Sequence, residues 1–108
     1  MANIYKNEMF DLANTGSNLI YTAPSDSRAI IKTIQTTNEG ANTLVTVTCN
    51  NGTSDFKTSI QDVTSNTHSN LIDGPLILQE SQTISITANV ANTVTGIVSL
   101  LEINRNEQ

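Results

Sequence analysis

At 108 residues the chain has the length of one domain, and a domain of that size buries roughly two-thirds of the surface that its unfolded chain exposes. Only 14% of its residues are charged and 4% aromatic, against about 25% charged in an average soluble domain; Thr, Asn, Ser, Ile and Val take up the difference, a composition that suits strands better than helices. The net charge of −5 and the scatter of the cations Lys6, Arg28, Lys32, Lys57 and Arg105 argue against the neutralising of phosphates, and so against nucleic acid as a partner.

The single Cys49 has no second cysteine in the chain for a disulfide, and no CxxC or Cys/His cluster offers a metal site. The opening MANIYKNEMF places Lys6 and Glu8 where a signal peptide has a continuous apolar run, and no stretch reaches the roughly 18 apolar residues that span a bilayer as a helix. The expectation is a cytosolically assembled protein with no membrane partner and no cofactor.

No window keeps apolar residues at i, i+3, i+4 and i+7, whereas strand signals recur about every ten residues. The first runs from Ile4 to Leu12, with Ile4 and Phe10 on one parity beside Lys6 and Glu8, and Tyr5 and Met9 on the other. That mixed pattern reads as an edge strand or an N-terminal arm over residues 1–11. A turn at Asn14 to Ser17 leads to Leu19–Thr22, which Pro24 ends because proline cannot donate to a ladder. In Arg28–Thr37, Lys32 interrupts the isoleucines and leaves room for a bulge; Asn38 to Asn42 follow as a loop of hairpin length. Leu44–Cys49 alternates, with Val45, Val47 and Cys49 on one face, and Cys49 reads there as a small buried hydrophobe. The polar stretch from Thr53 to Asn70 is anchored by Phe56, Ile60 and Val63, and reads as a strand from Phe56 to Val63 followed by a loop. Gly74 and Pro75 open a strand Leu76–Leu78. Thr83–Val90 then alternates throughout, with Ile84, Ile86, Ala88 and Val90 facing one way.

The last strand, Val94–Ile103, is apolar on both parities: Ile97, Leu101 and Ile103 on one, Val94, Val98 and Leu100 on the other. Seven or eight short antiparallel strands without a helix define a single all-β domain over 1–108. The expected form is a β-sandwich with jelly-roll or Greek-key connections, with an open barrel as the alternative. Each strand of a two-sheet sandwich has one inward face, so a doubly apolar strand asks for a neighbouring subunit to cover the other. The residues expected at protein contacts are Ile4, Tyr5, Met9 and Phe10 in the first strand or arm, and Val98 and Leu100 in the last.

Catalytic and metal patterns are thin. His68 lies near Ser59, Ser65 and Ser69 and near Asp62 and Asp73, but no GxSxG elbow accompanies them. Asp55, Asp62 and Asp73 lack the DxDxDG spacing of a calcium loop. Asn51-Gly52-Thr53 is a formal glycosylation sequon that reads as a turn. Four scattered aromatic residues and no Trp make a poor platform for stacking sugars. No enzyme is indicated.

One resemblance is carried by the order of Leu19-Ile20-Tyr21-Thr22-Ala23-Pro24, then Arg28-Ala29-Ile30-Ile31-Lys32-Thr33-Ile34 ending at Asn38, then Asp73-Gly74-Pro75-Leu76-Ile77-Leu78, Ile84-Ser85-Ile86-Thr87-Ala88, and Val94 through Ile103. It resembles the small β-sandwich virion structural proteins of tailed bacteriophages, over roughly residues 19 to 103. The chain departs from them at Glu80-Ser81-Gln82, where such proteins carry a Gly-Asp pair, and its middle third matches nothing in them. The resemblance implies a virion component assembled in the host cytoplasm, homo-oligomeric and bound to other virion proteins of capsid, neck or tail. A capsid decoration or cement subunit is the leading expectation. The alternatives are a neck or tail adaptor, a fibre-associated component, and a receptor- or glycan-binding module.

Overall fold

The computed structural model describes residues 2–104; Met1 and residues 105–108, among them Arg105, lie outside the described residues. Nine strands follow in order: β1 (Ala2–Asp11), β2 (Asn18–Thr22), β3 (Ser27–Asn38), β4 (Thr43–Asn50), β5 (Asp55–Val63), β6 (Thr67–Asn70), β7 (Leu76–Leu78), β8 (Thr83–Ala88) and β9 (Val94–Asn104). One sheet has the order β1-β9-β3-β6, with β7 also paired to β3, and the other has the order β2-β8-β4-β5. Every pairing is antiparallel.

The connectivity is nested. β4 pairs with β5, β3 with β6 and β7, β2 with β8, and β1 with β9, so the chain is a long two-stranded ribbon folded over on itself. With β6 and β7 counted as one interrupted strand, the two sheets hold four strands each in the jelly-roll order. The architecture is therefore an all-β sandwich, as the strand spacing indicated.

The core forms where the two inward faces meet. Val45, Val47, Ile84, Ile86 and Ala88 come from the four-stranded sheet, and Ala29, Ile31, Ile34, Val94, Val98 and Leu100 from the five-stranded one, all at 0–1% exposure. Each fully buried Val, Leu or Ile contributes about 1.5–3 kcal/mol. The Lys32 bulge keeps β3 in this core: the register to β9 shifts between Ile31 and Thr33, so Ile31 and Ile34 both point inward although they stand three residues apart.

Two expectations change. The loop 38–42 closes no hairpin, because it carries the chain from one sheet to the other. Asn38, fully buried, donates through Nδ2 to Ala41 O and Val63 O at 2.8 Å each, and its Oδ1 accepts from Gly40 N. This one amide supplies the bonds a hairpin ladder would have made. The stretch after Val63 is a three-residue turn, with Asn66 at φ 59°, and then β6. Its Thr-His-Ser-Asn sequence has no apolar residue to announce it, and its place comes from backbone pairing with β3.

Candidate assembly surface

Strand register decides which side chains meet on the outer faces. In the five-stranded sheet Tyr5 stands opposite Leu101, Leu101 opposite Ile30, and Ile30 opposite Ile77. These four lie on the outward parity of β1, β9, β3 and β7, and form one apolar row straight across the sheet. Directly opposed side chains are about 4.5–5.5 Å apart, so the row is continuous. Tyr5 is 79% and Ile77 67% exposed, while Leu101 and Ile30 between them are half-buried. Met9, also largely exposed, stands opposite Ile97 two pairs further along, and Ile103 flanks the row on the other side.

The four-stranded sheet has no such row. Its exposed Leu19 is followed across the strands by Ser85, Thr48 and Lys57, and its exposed Ile60 by Thr46 and Thr87. Single apolar residues among polar neighbours are ordinary surface, whereas a contiguous apolar strip marks a contact.

The contact residues expected from the sequence divide. Ile4, Tyr5 and Met9 are exposed on β1. Phe10 is half-buried against the core, and its ring fills the space over Gly96 that a side chain there would occupy. Val98 and Leu100 correct the expectation: both lie inside the sandwich at 0% and 1% exposure. β9 is apolar on both faces, but the face turned outward is that of Ile97, Leu101 and Ile103.

The inner face of β9 also carries a polar cluster. Glu102 is 7% exposed; the Tyr21 hydroxyl donates to its Oε2 at 2.5 Å and Lys6 Nζ lies 3.2 Å from the same oxygen. A buried carboxylate is tolerable when paired and hydrogen-bonded. Burial, then the bond to Glu102, then the charges of Glu102 and Glu8 hold the Tyr21 phenol above its ordinary range. The cluster ties β1 and β2 to β9.

Residues 2–11 lie along β9 as an edge strand, paired from Ala2 opposite Asn104 to Asp11 opposite Thr95. At the opposite margin a cleft of about 650 Å³ opens between β5 and the segment joining β6 to β7, lined by Ser59, Gln61, Ile72 and Asp73 among others. His68 sits exposed on β6, and among the described residues no three His, Cys, Asp or Glu side chains gather as metal ligands do. Cys49 is half-buried and accepts a hydrogen bond from Thr58 Oγ1 at 3.2 Å. The sequon forms the β4–β5 turn, where Gly52 has φ 99° and Asn51 Oδ1 accepts from Thr53 N and Ser54 N.

The chain is a single jelly roll with one apolar outer face, a fold used by viral capsid domains, lectin domains and cupins alike. No protein-family model and no curated protein sequence matches the chain. Solved structures do share the fold. The chain is similar to one from T=1 particles derived from infectious bursal virus (TM-score 0.58, 10% identity, 94% of this chain and 30% of that one). It is similar to one from the Gx strain of infectious bursal disease virus (TM-score 0.56, 10% identity, 97% and 34%). It is similar also to one from Bacillus endospore appendages, which form a family of disulfide-linked pili (TM-score 0.56, 14% identity, 93% and 85%). The chain spans about a third of the bursal-virus chains. At these identities the likeness is one of fold, and the fold is one found in viral particles and pili.

Proposed function

We propose that this chain is a non-enzymatic structural protein of a tailed-bacteriophage virion, a capsid decoration or cement subunit that binds other virion proteins. The observation that carries the reading is the apolar row Tyr5, Leu101, Ile30 and Ile77 on the outer face of a jelly roll. Its strand order in sequence, which resembles that of phage virion proteins, and its fold, shared with chains of viral particles, support the same reading. Attachment comes from burying that row against a capsid protein, at about 25 cal/mol for each Å² of apolar surface removed from water. Few charges have to be desolvated there.

The test is the position of the protein in intact particles, by reconstruction or immunogold labelling. Copies spread over the head are expected. A ring at a single vertex would replace decoration by a neck or tail adaptor, and absence from particles would overturn the proposal.

A further inference from the structure

Among the described residues β1 is an edge strand, paired with β9 on one side only. Leu12 N donates to Val94 O at 3.0 Å, continuing the β1–β9 register. In an antiparallel ladder directly opposed residues alternate between bonded and non-bonded pairs, so this bond sets the phase: the even residues of β1 face β9. The backbone N–H and C=O groups of Asn3, Tyr5, Asn7 and Met9 therefore point to the free edge, as does Asp11 N, while Asp11 O already accepts from Ala13 N at 3.0 Å. β1 has ten residues with no proline and no register shift. Of the devices that blunt an edge it has charged side chains, Lys6 and Glu8, but neither proline nor bulge.

We propose that β1 pairs antiparallel with β1 of a second copy of this chain, about a two-fold axis through Asn7. In that register residue i meets residue 14 − i. Asn7 meets its own copy; Tyr5 meets the partner's Met9 and Asn3 the partner's Asp11, as hydrogen-bonded pairs. Lys6 meets the partner's Glu8 and Ile4 the partner's Phe10, as the closer non-bonded pairs. Each contact occurs twice, as an isologous interface requires. Lys6 and Glu8 are matched to opposite charge and Ile4, Tyr5, Met9 and Phe10 to apolar side chains, while Asp11 meets the polar Asn3.

Neighbouring registers fail. The free groups meet only if odd residues oppose odd ones, so the register changes in steps of two. One step either way sets Lys6 against Lys6 or Glu8 against Glu8, and like charges directly opposite destabilise. Two steps set Lys6 against Ile4 or Glu8 against Phe10 and shorten the ladder. In the matched register the two five-stranded sheets become one. The row Ile77, Ile30, Leu101 and Tyr5 then runs on into the partner's Met9 and the partner's Ile97.

The experiment is sedimentation equilibrium of the full chain. A reversible dimer is expected, with a dissociation constant on the order of micromolar, in keeping with an interface below the standard size. Asn7→Pro removes an N–H from the free edge without taking a bond from β9. It is expected to raise the dissociation constant at least tenfold while the circular dichroism spectrum and thermal midpoint stay as in the wild type. Glu8→Lys, which sets like charges against the partner's Lys6 on both sides of the axis, is expected to be monomeric with an unchanged circular dichroism spectrum. A wild-type chain that remains monomeric up to about 1 mM, or a dimer unchanged by Asn7→Pro, would overturn the proposal. It stands apart from the virion reading: a monomer leaves that reading intact, and absence from particles leaves the dimer intact.

Discussion

Glu102 shows how a charged side chain is accommodated on the inward face of a strand. It shares its parity with Val94, Val98 and Leu100, and it is admitted to the interior because Tyr21 and Lys6 satisfy it. Replacing Tyr21 with Phe removes a hydrogen bond to a charged group, so a loss of about 1.5–3 kcal/mol is expected in urea unfolding. The same substitution changes the alkaline limb. Below the ordinary phenol value of 10.0, Tyr21 is protonated in both the folded and the unfolded chain. Above it the unfolded chain releases the proton while the folded chain retains it, and stability falls by about 1.4 kcal/mol per pH unit for that proton. The fall is expected to be shallower in Tyr21→Phe by that amount, as read from urea midpoints between pH 9 and 11. Asn38 makes a comparable case: Asn38→Leu leaves Val63 O without its Asn38 donor, and such a buried orphan costs about 1–3 kcal/mol, whereas Ala41 O keeps the Thr43 hydroxyl.

At the level of strands, alternation is legible only where one face is apolar and the other is not. β8 could be read directly, with Ile84, Ile86 and Ala88 inward between polar neighbours. β9 could not, because both parities carry large apolar residues, and the partners that let Glu102 go inward, Lys6 and Tyr21, are distant in sequence. β6 was invisible, since a polar edge strand leaves no pattern and its pairing is made by backbone. The break at Lys32 was visible as an interruption of the isoleucines, and the bulge explains it: Lys32 is the extra residue that lets Ile31 and Ile34 share a face. Deleting Lys32 leaves Ala29, Ile31, Ile34, Thr36 and Asn38 all inward. Deleting Gln35 instead turns Thr36 and Asn38 to the other face. Thermal unfolding is expected to show a cooperative transition for the first deletion and none for the second.

For the whole molecule, an outward apolar face was foreseen in kind but not in place. A surplus of apolar strand pointed to a covered face; the sequence pattern alone put Val98 and Leu100 there, whereas register across four strands assembles Tyr5, Leu101, Ile30 and Ile77. Ile77 is the cleanest handle on this surface, being exposed and remote from β1. Ile77→Asp is expected to change unfolding free energy by no more than about 0.5 kcal/mol, as surface substitutions do, and to lower the amount of the protein found on purified particles at least tenfold.

The nesting of strands also orders events in time. β4 and β5 are joined by a short turn, while Ala2 pairs with Asn104, so each ribbon layer outward from β4–β5 closes a longer loop at greater entropic cost. Folding is expected to proceed from this hairpin outward and, with so many distant pairings, to take milliseconds to seconds. β1 is synthesised well before its partner strand β9. Until β9 follows, β1 must wait unpaired, with Ile4, Tyr5, Met9 and Phe10 uncovered, and in that interval the nascent chain is most open to a chaperone or to capture by another copy.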